Sequence, residues 1–163
     1  MSIKNPNKTK VERGKESLMA LEKEGAYVFH GSTELLEKLE PRQAKIWDKE
    51  KKEMVEHGEP SVVATPFAEI AIFRAVISNK IKAEDGKHYS AFGSDGVKPY
   101  FETTPSVLKN AKDAIGYVYV FRKDNFVKIS PMEWRSNQKL RPARIFEVNF
   151  EDLPKNIKLE PRG

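Results

Sequence analysis

The sequence predicts an α+β fold in a single domain. Strand-like and helix-like segments alternate early, whereas strand-like segments cluster late, which departs from a regular βαβ repeat. The 163 residues are enough to bury a core without covalent staples. There is no cysteine, which excludes a disulfide framework, thiol catalysis and thiolate metal sites. No apolar run approaches the roughly 18 residues that a membrane-spanning helix needs, and residues 1–10 hold no hydrophobic signal core. The expected compartment is the cytoplasm.

Residues 1–10 are polar and predict a flexible tail, followed by a single domain over 11–154 and a second tail over 155–163. Leu18, Met19 and Leu21 form an apolar stripe, so a helix is expected from about Lys10 to Lys23, stopped by Gly25. Ala26–His30 reads as a strand ended by Gly31. Ser32 or Thr33 can cap a short helical turn that Pro41 closes. Residues 43–57 are charged, with Ile46, Trp47, Met54 and Val55 at roughly helical spacing, and predict a surface helix or a partly ordered insertion. Ser61–Thr65 is the second strand. Thr65-Pro66 then starts a helix that runs to about Ser78 and is apolar nearly all round, hence buried. Residues 84–104, with Asp85-Gly86, Gly93, Asp95-Gly96 and Pro99, read as a long loop. A short helix near Pro105–Lys112 follows. Gly116–Phe121 and Phe126–Ile129 are strands around a hairpin turn at Lys123-Asp124-Asn125, and Ala143–Phe150 is the last strand.

Charge is informative by its distribution. The net charge is +5, and residues 1–16 (+3) with 154–163 (+2) account for all of it. Residues 104–144 nevertheless carry nine basic and three acidic groups, a local +6 that can face phosphates. Walker, GxGxxG, GxSxG and HExxH motifs are absent. His30, His57 and His88 lack metal-ligand spacing, so no metal is expected.

Three segments carry candidate chemistry. In Tyr27–Ser32 a histidine ends an apolar strand and meets a glycine, which lets a ligand approach the backbone while the imidazole bonds a hydroxyl. Val62–Pro66 leads a strand into the buried helix that carries Phe73. In Pro131–Ser136 the acid Glu133 sits beside Trp134 and among Arg135, Lys139, Arg141 and Arg144. A carboxylate there can stabilise positive charge developing on a sugar, while the cations hold phosphates. Glu147 is a second acid, but Phe146 and Val148 flank it, and it reads as the polar face of a strand.

In this order and spacing the segments resemble the ADP-ribosyltransferase superfamily, the NAD-using fold shared by poly-ADP-ribose polymerases and bacterial toxins. The resemblance rests on His30-Gly31-Ser32, on Val62–Thr65 with Phe73, and on Glu133-Trp134, and it covers about residues 26–150. It implies a split antiparallel β-sheet core with flanking helices, with NAD as substrate and a macromolecular acceptor, protein or nucleic acid. It further implies that His30 and Glu133 are catalytic. Gly31, Ser32, Thr65 and Phe73 would bind NAD, with the Gly31 backbone on the nicotinamide amide, His30 on the adenosine-side ribose, Phe73 stacked on nicotinamide and Glu133 on the 2′-hydroxyl of the nicotinamide ribose. Arg135, Arg141 or Arg144 would contact diphosphate or acceptor. The second-strand tyrosine of many members is absent, since Val62 or Val63 stands there, and Tyr89, Phe92 and Tyr100 are alternative stacking residues.

Three rival readings stand beside this one. A non-catalytic nucleic-acid-binding module would use the basic region together with Tyr89, Tyr100 and Trp134. An RNA 2′-phosphotransferase-like enzyme would need several arginines converging on a phosphate; the late basic cluster offers some, and Arg42 joins them only if the fold brings it near. An inactive relative would serve as a protein-interaction domain.

Overall fold

The structure is a computed structural model that describes residues 9–84 and 88–160, with the backbone alone at 43–47 and 55–59. It is a mixed α+β protein with three sheets. In chain order the elements are β1 (Val11–Glu12), α1 (Lys15–Glu24), β2 (Tyr27–Ser32), β3 (Arg42–Asp48), β4 (Glu53–Ala64), α2 (Ala68–Val76), β5 (Ser90–Ser94) and β6 (Pro99–Thr103). There follow α3 (Pro105–Asn110), β7 (Ile115–Arg122), β8 (Val127–Ser130), β9 (Glu133–Ser136), β10 (Arg144–Asn149) and β11 (Ile157–Leu159).

The central sheet has the order β1-β10-β7-β2 and is covered on both faces. Strand alternation divides its residues between two cores. Phe29, Val118, Val120, Phe146 and Val148 pack against α1, α2 and the Phe101 side of the sheet β11-β6-β5. Val28, Tyr119, Phe121 and Ile145 pack the other way, against Val62 and Ala64 of the sheet β3-β4-β9-β8. Burial on both faces explains why β2 and β7 read as continuous apolar runs.

Helix α2 lies flush on the central sheet because two strand residues lack side chains. A Cβ at Gly31 would meet the Ala71 carbonyl oxygen at 2.0 Å, and one at Gly116 would meet the Ala75 carbonyl oxygen at 2.3 Å. Ala71 and Ala75 are one turn apart, so a pair of alanines faces a pair of glycines. The N-terminus of α2 is tied to α1, since the Ala68 N–H donates to Glu22 Oε1 at 2.6 Å.

Several expected elements come out differently. Residues 43–57 form no helix; they are the β3–β4 hairpin. Its turn contains no glycine: Asp48 Oδ1 accepts from Glu50 N at 2.9 Å and Lys51 N at 3.1 Å, while Lys52 takes a left-handed φ of 54°. The lysines and glutamates around it favour helix by propensity, and strand pairing overrides that. The long loop over 84–104 is largely the β5–β6 hairpin, though 85–87 lie outside the described residues. Asp95 Oδ1 accepts from Val97 and Lys98 N–H groups, and Gly96 at φ +97° closes the turn.

Lys123–Asn125 is a short 3₁₀ turn and joins no hairpin, because β7 belongs to the central sheet and β8 pairs with β9. No helical turn follows Ser32; Leu39 instead bridges Leu140. Gly31 does not end its strand, which runs to Ser32. The expected tail over 155–163 contains β11, paired in parallel with β6, and 161–163 lie outside the described residues, as do 1–8 of the first tail. The first helix starts at Lys15, with Val11–Glu12 ahead of it paired to β10, where Arg144 grips Glu12 through two bonds of 2.8 and 2.6 Å.

The close approach at Gly116 predicts a mutational cost that Gly93, whose neighbour is a side chain, does not share. Gly116→Ala drives a methyl into a helix backbone and is expected to cost about 1–3 kcal/mol. Gly93→Ala meets only the hydroxyl end of the exposed Tyr100 side chain, which can swing away, and is expected to cost under about 1 kcal/mol. Urea midpoints of the two variants check this, and equal losses would refute it.

Candidate functional site

The site forms where two strands part. Phe29 and Thr65 exchange backbone hydrogen bonds of 2.7 and 2.9 Å. If that antiparallel ladder continued, Gly31 would next pair with Val63. It stops instead. His30 Nδ1 donates to the Val63 carbonyl oxygen at 2.6 Å, so a side chain takes the acceptor that a strand rung would use. Alternate residues of a strand send their N–H and C=O to opposite edges. His30 faces Tyr119 of β7, while Gly31 shares the parity of Phe29. The Gly31 N–H and C=O are thereby left on the open edge of the central sheet.

A cavity of about 120 Å³ opens at this edge, lined by His30, Gly31, Thr65, Arg74, Phe92 and Glu133 among others. Two larger depressions adjoin it at Arg74. One of about 550 Å³ reaches Ser32, Arg42 and Asn79, and one of about 190 Å³ reaches Leu36, Arg42 and Ser61. Joined at one arginine, they give an elongated cleft on the scale of small-molecule sites.

The hydrogen bond to Val63 fixes the histidine tautomer. A carbonyl only accepts, so Nδ1 carries the proton and Nε2 is left as an acceptor. Burial lowers the His30 pKa; the bond to Val63 opposes this, and the charges of Arg74 and Arg42 lower it further. The imidazole is therefore neutral near pH 7. Behind it Tyr119 is fully buried, with its hydroxyl donating to Glu34 O at 2.5 Å and accepting from Leu36 N at 2.7 Å. That pair pins the chain that follows β2.

Glu133 begins β9, and its Oε2 accepts from Arg135 Nε at 3.0 Å. Arg74 stands on α2 at the meeting point of all three depressions, its guanidinium 5.4 Å from the centre of the Phe92 ring. The protein packed around it lowers its pKa, and the Glu133 charge raises it. It stays protonated throughout the working range. The cleft thus brings together a neutral acceptor, an unpaired strand edge, a carboxylate and a cation.

Of the residues singled out in the sequence, His30, Gly31, Thr65 and Glu133 meet at the small cavity, and Ser32 lies in the two depressions beside it. Two roles change. Thr65 spends its groups on structure: its backbone pairs with Phe29, and its Oγ1 accepts from Phe67 N at 3.2 Å. Phe73 is 1% exposed and packs on Phe92 and Phe101; it reaches the wall of the 550 Å³ depression beside Gly31 and Ser32, while Phe92 lines both that depression and the small cavity. Arg144 is engaged by Glu12, and Glu147 by Arg13 at 2.6 Å. Trp134 is half-buried, with Lys123 Nζ 5.0 Å from its ring centre. Arg74 was missed in the sequence, although its signal was there. It is the one cation in the run Phe67–Ser78, where Glu69 is the other charge, and a cation on so apolar a helix has to face an opening.

Among the described residues no group of three His, Cys, Asp or Glu could hold a metal ion, and no helix is long and apolar enough to cross a membrane. Comparison with family models, with curated proteins and with solved structures gives no match, so the function has to be argued from the site itself.

The histidine predicts a pH dependence of stability. Its folded pKa lies below the unfolded value of about 6.5. The unfolded chain therefore binds the proton more readily, and the contribution is present above that value and lost as pH falls through the folded pKa. Denaturation of the parent and His30→Gln from about pH 7.5 to about pH 5 should show the steeper loss in the parent; parallel profiles would refute it.

Proposed function

We propose that this chain is an NAD-dependent ADP-ribosyltransferase with an ADP-ribosyltransferase-like split-sheet core, which cleaves the nicotinamide–ribose bond and passes ADP-ribose to a macromolecular acceptor. The observation that carries the reading is the parting of β2 from β4 at Phe29–Thr65, which leaves the Gly31 N–H and C=O on an open edge beside His30, Phe92 and Glu133. The similarity of His30-Gly31-Ser32 and Glu133-Trp134 to that superfamily supports it from the sequence side.

NAD would supply a ribose bonded to a positively charged nicotinamide, a good leaving group. The residues fit such a substrate. The Gly31 N–H and C=O, side by side on the strand edge, complement a carboxamide, which offers an acceptor and a donor. Phe92 gives an apolar wall for the ring. His30 Nε2, being unprotonated, accepts from a ribose hydroxyl. Glu133 is the group for the charge that develops on the sugar as the bond breaks, the same electrostatic problem that glycosidases solve with carboxylates. Arg74 and Arg42 are the cations of the larger depressions and replace Arg144 as partners for the diphosphate.

The test measures NAD binding by calorimetry and nicotinamide release by chromatography. Glu133→Gln should release nicotinamide about 10²-fold or more slowly, with NAD affinity within about threefold of the parent. Arg74→Gln should instead weaken NAD binding roughly tenfold or more. Absence of NAD binding by the parent would overturn the reading. Binding without release would reduce the chain to an NAD-binding module, the inactive relative considered above.

A further inference from the structure

We infer that a separate cavity beyond Glu133 receives a nucleobase of a single-stranded nucleic acid, and that this base is the acceptor of the transfer; the acceptor role rests on the NAD reading above. The cavity measures about 420 Å³ and is walled by Pro60 and Ser61 of β4, the turn Asp124–Val127, and Arg135–Gln138 at the end of β9. It is linked to the cleft through two residues. Arg135 lines it and at the same time holds the Glu133 carboxylate at 3.0 Å. Ser61 lines both it and the depression that contains His30 and Arg74. The Ser61 Oγ is buried and has no hydrogen-bond partner among the described residues.

The chemistry of the lining selects the ligand. Three carboxamides, Asn125, Asn137 and Gln138, face this space. Each presents a donor and an acceptor side by side, the pattern that reads the edge of a base. Phe126 and the exposed Val127 supply apolar contact for a flat face. The two charged groups of the wall are already paired, Arg135 with Glu133 and Asp124 with Arg122 at 3.4 Å. An acidic acceptor side chain would need a free cation here, and an arginine acceptor a free carboxylate. A neutral, planar, polar group needs neither. Of the cations beside this wall, Arg122 is paired with Asp124, Lys139 with Glu40 at 2.9 Å, and Lys123 bonds the Gly25 carbonyl oxygen at 2.8 Å, so Lys128, next to Val127, is the cation offered to a phosphate beside such a base.

In the transfer, the nicotinamide–ribose bond breaks and its electron pair leaves with nicotinamide. A base nitrogen forms the new bond to the same ribose carbon, and the proton shed by that nitrogen passes to solvent.

The test uses the full chain and two fluorescent single-stranded oligonucleotides of equal length, one of mixed sequence and one abasic. Anisotropy at fixed salt should show at least about tenfold tighter binding of the base-bearing strand. The double variant Asn137→Ala/Gln138→Ala, on exposed loop positions, should lose that preference and keep its affinity for the abasic strand. Its melting temperature reports whether it folds, and Asn125→Ala is the second variant should it not. With adenylate-labelled NAD the parent should label the base-bearing strand, and the double variant should still release nicotinamide into water while labelling is lost. Equal binding of the two strands, a preference that survives both variants, or label transferred only to protein when lysate is added would each overturn the inference. Nicotinamide release without base preference overturns the base site alone. Base preference without nicotinamide release overturns the acceptor role together with the NAD reading.

Discussion

Helix α2 approaches the central sheet so closely that neither Gly31 nor Gly116 could carry a Cβ without striking the carbonyl oxygens of Ala71 and Ala75. That approach fixes more than packing. It sets the height of α2 above β2, and so the place of Arg74, one turn beyond Ile70, at the mouth of the cleft. A helix raised by a side chain at Gly31 would lift Arg74 away from Glu133 and Phe92 together. The glycine of the His30-Gly31-Ser32 motif therefore serves two purposes. Its missing side chain admits the helix, and its backbone, on the perpendicular axis, edges the cavity.

The parting of β2 from β4 is a second consequence of local chemistry. An open sheet edge exposes unpaired N–H and C=O groups and invites pairing with other chains. Here the exposure is confined to a short stretch. Phe29 is paired to Thr65 just before it, and the imidazole of His30 satisfies the Val63 carbonyl just after. The carbonyl keeps its partner while the strand edge stays open. Burial on both faces of the central sheet supplies the stability that lets this edge remain unpaired.

The legible parts of the sequence were those with a short-range signature. The buried run from Phe67 to Ile77, the β-rich Tyr27–Phe29 and the late strand around Phe146 all appear as expected, because each is a mostly apolar run that buries its large apolar side chains in the core. The β3–β4 and β5–β6 hairpins were not legible. The first is turned by an aspartate among lysines and glutamates, and the second by an Asp-Gly that also reads as loop. At the site, His30, Gly31 and Glu133 could be picked out from motif resemblance. The place of Phe92 beside His30 and Glu133 could not, because it is set by the β5–β6 hairpin, which the sequence hides.

The electrostatics of Glu133 show why the surrounding arginines have different jobs. Its Oε2 is held by Arg135 from the same face of β9, two residues along the strand. That bond fixes the carboxylate orientation and leaves Oε1 for a ligand, which makes Arg135 a positioning residue. Arg74 reaches Glu133 from another element and through the electric field alone, with its ring contact to Phe92 holding it in place. A carboxylate meant to stabilise a transient cation must not be fully neutralised at rest. One close arginine and one more distant arginine satisfy that demand, whereas a second close partner would cancel it. Arg144 is kept out of this balance by its bidentate grip on Glu12, which also staples β1 to the far side of the central sheet. The fold thus gives these three arginines separate roles: Arg144 is a structural clamp, Arg135 orients the carboxylate, and Arg74 is a cation of the cleft.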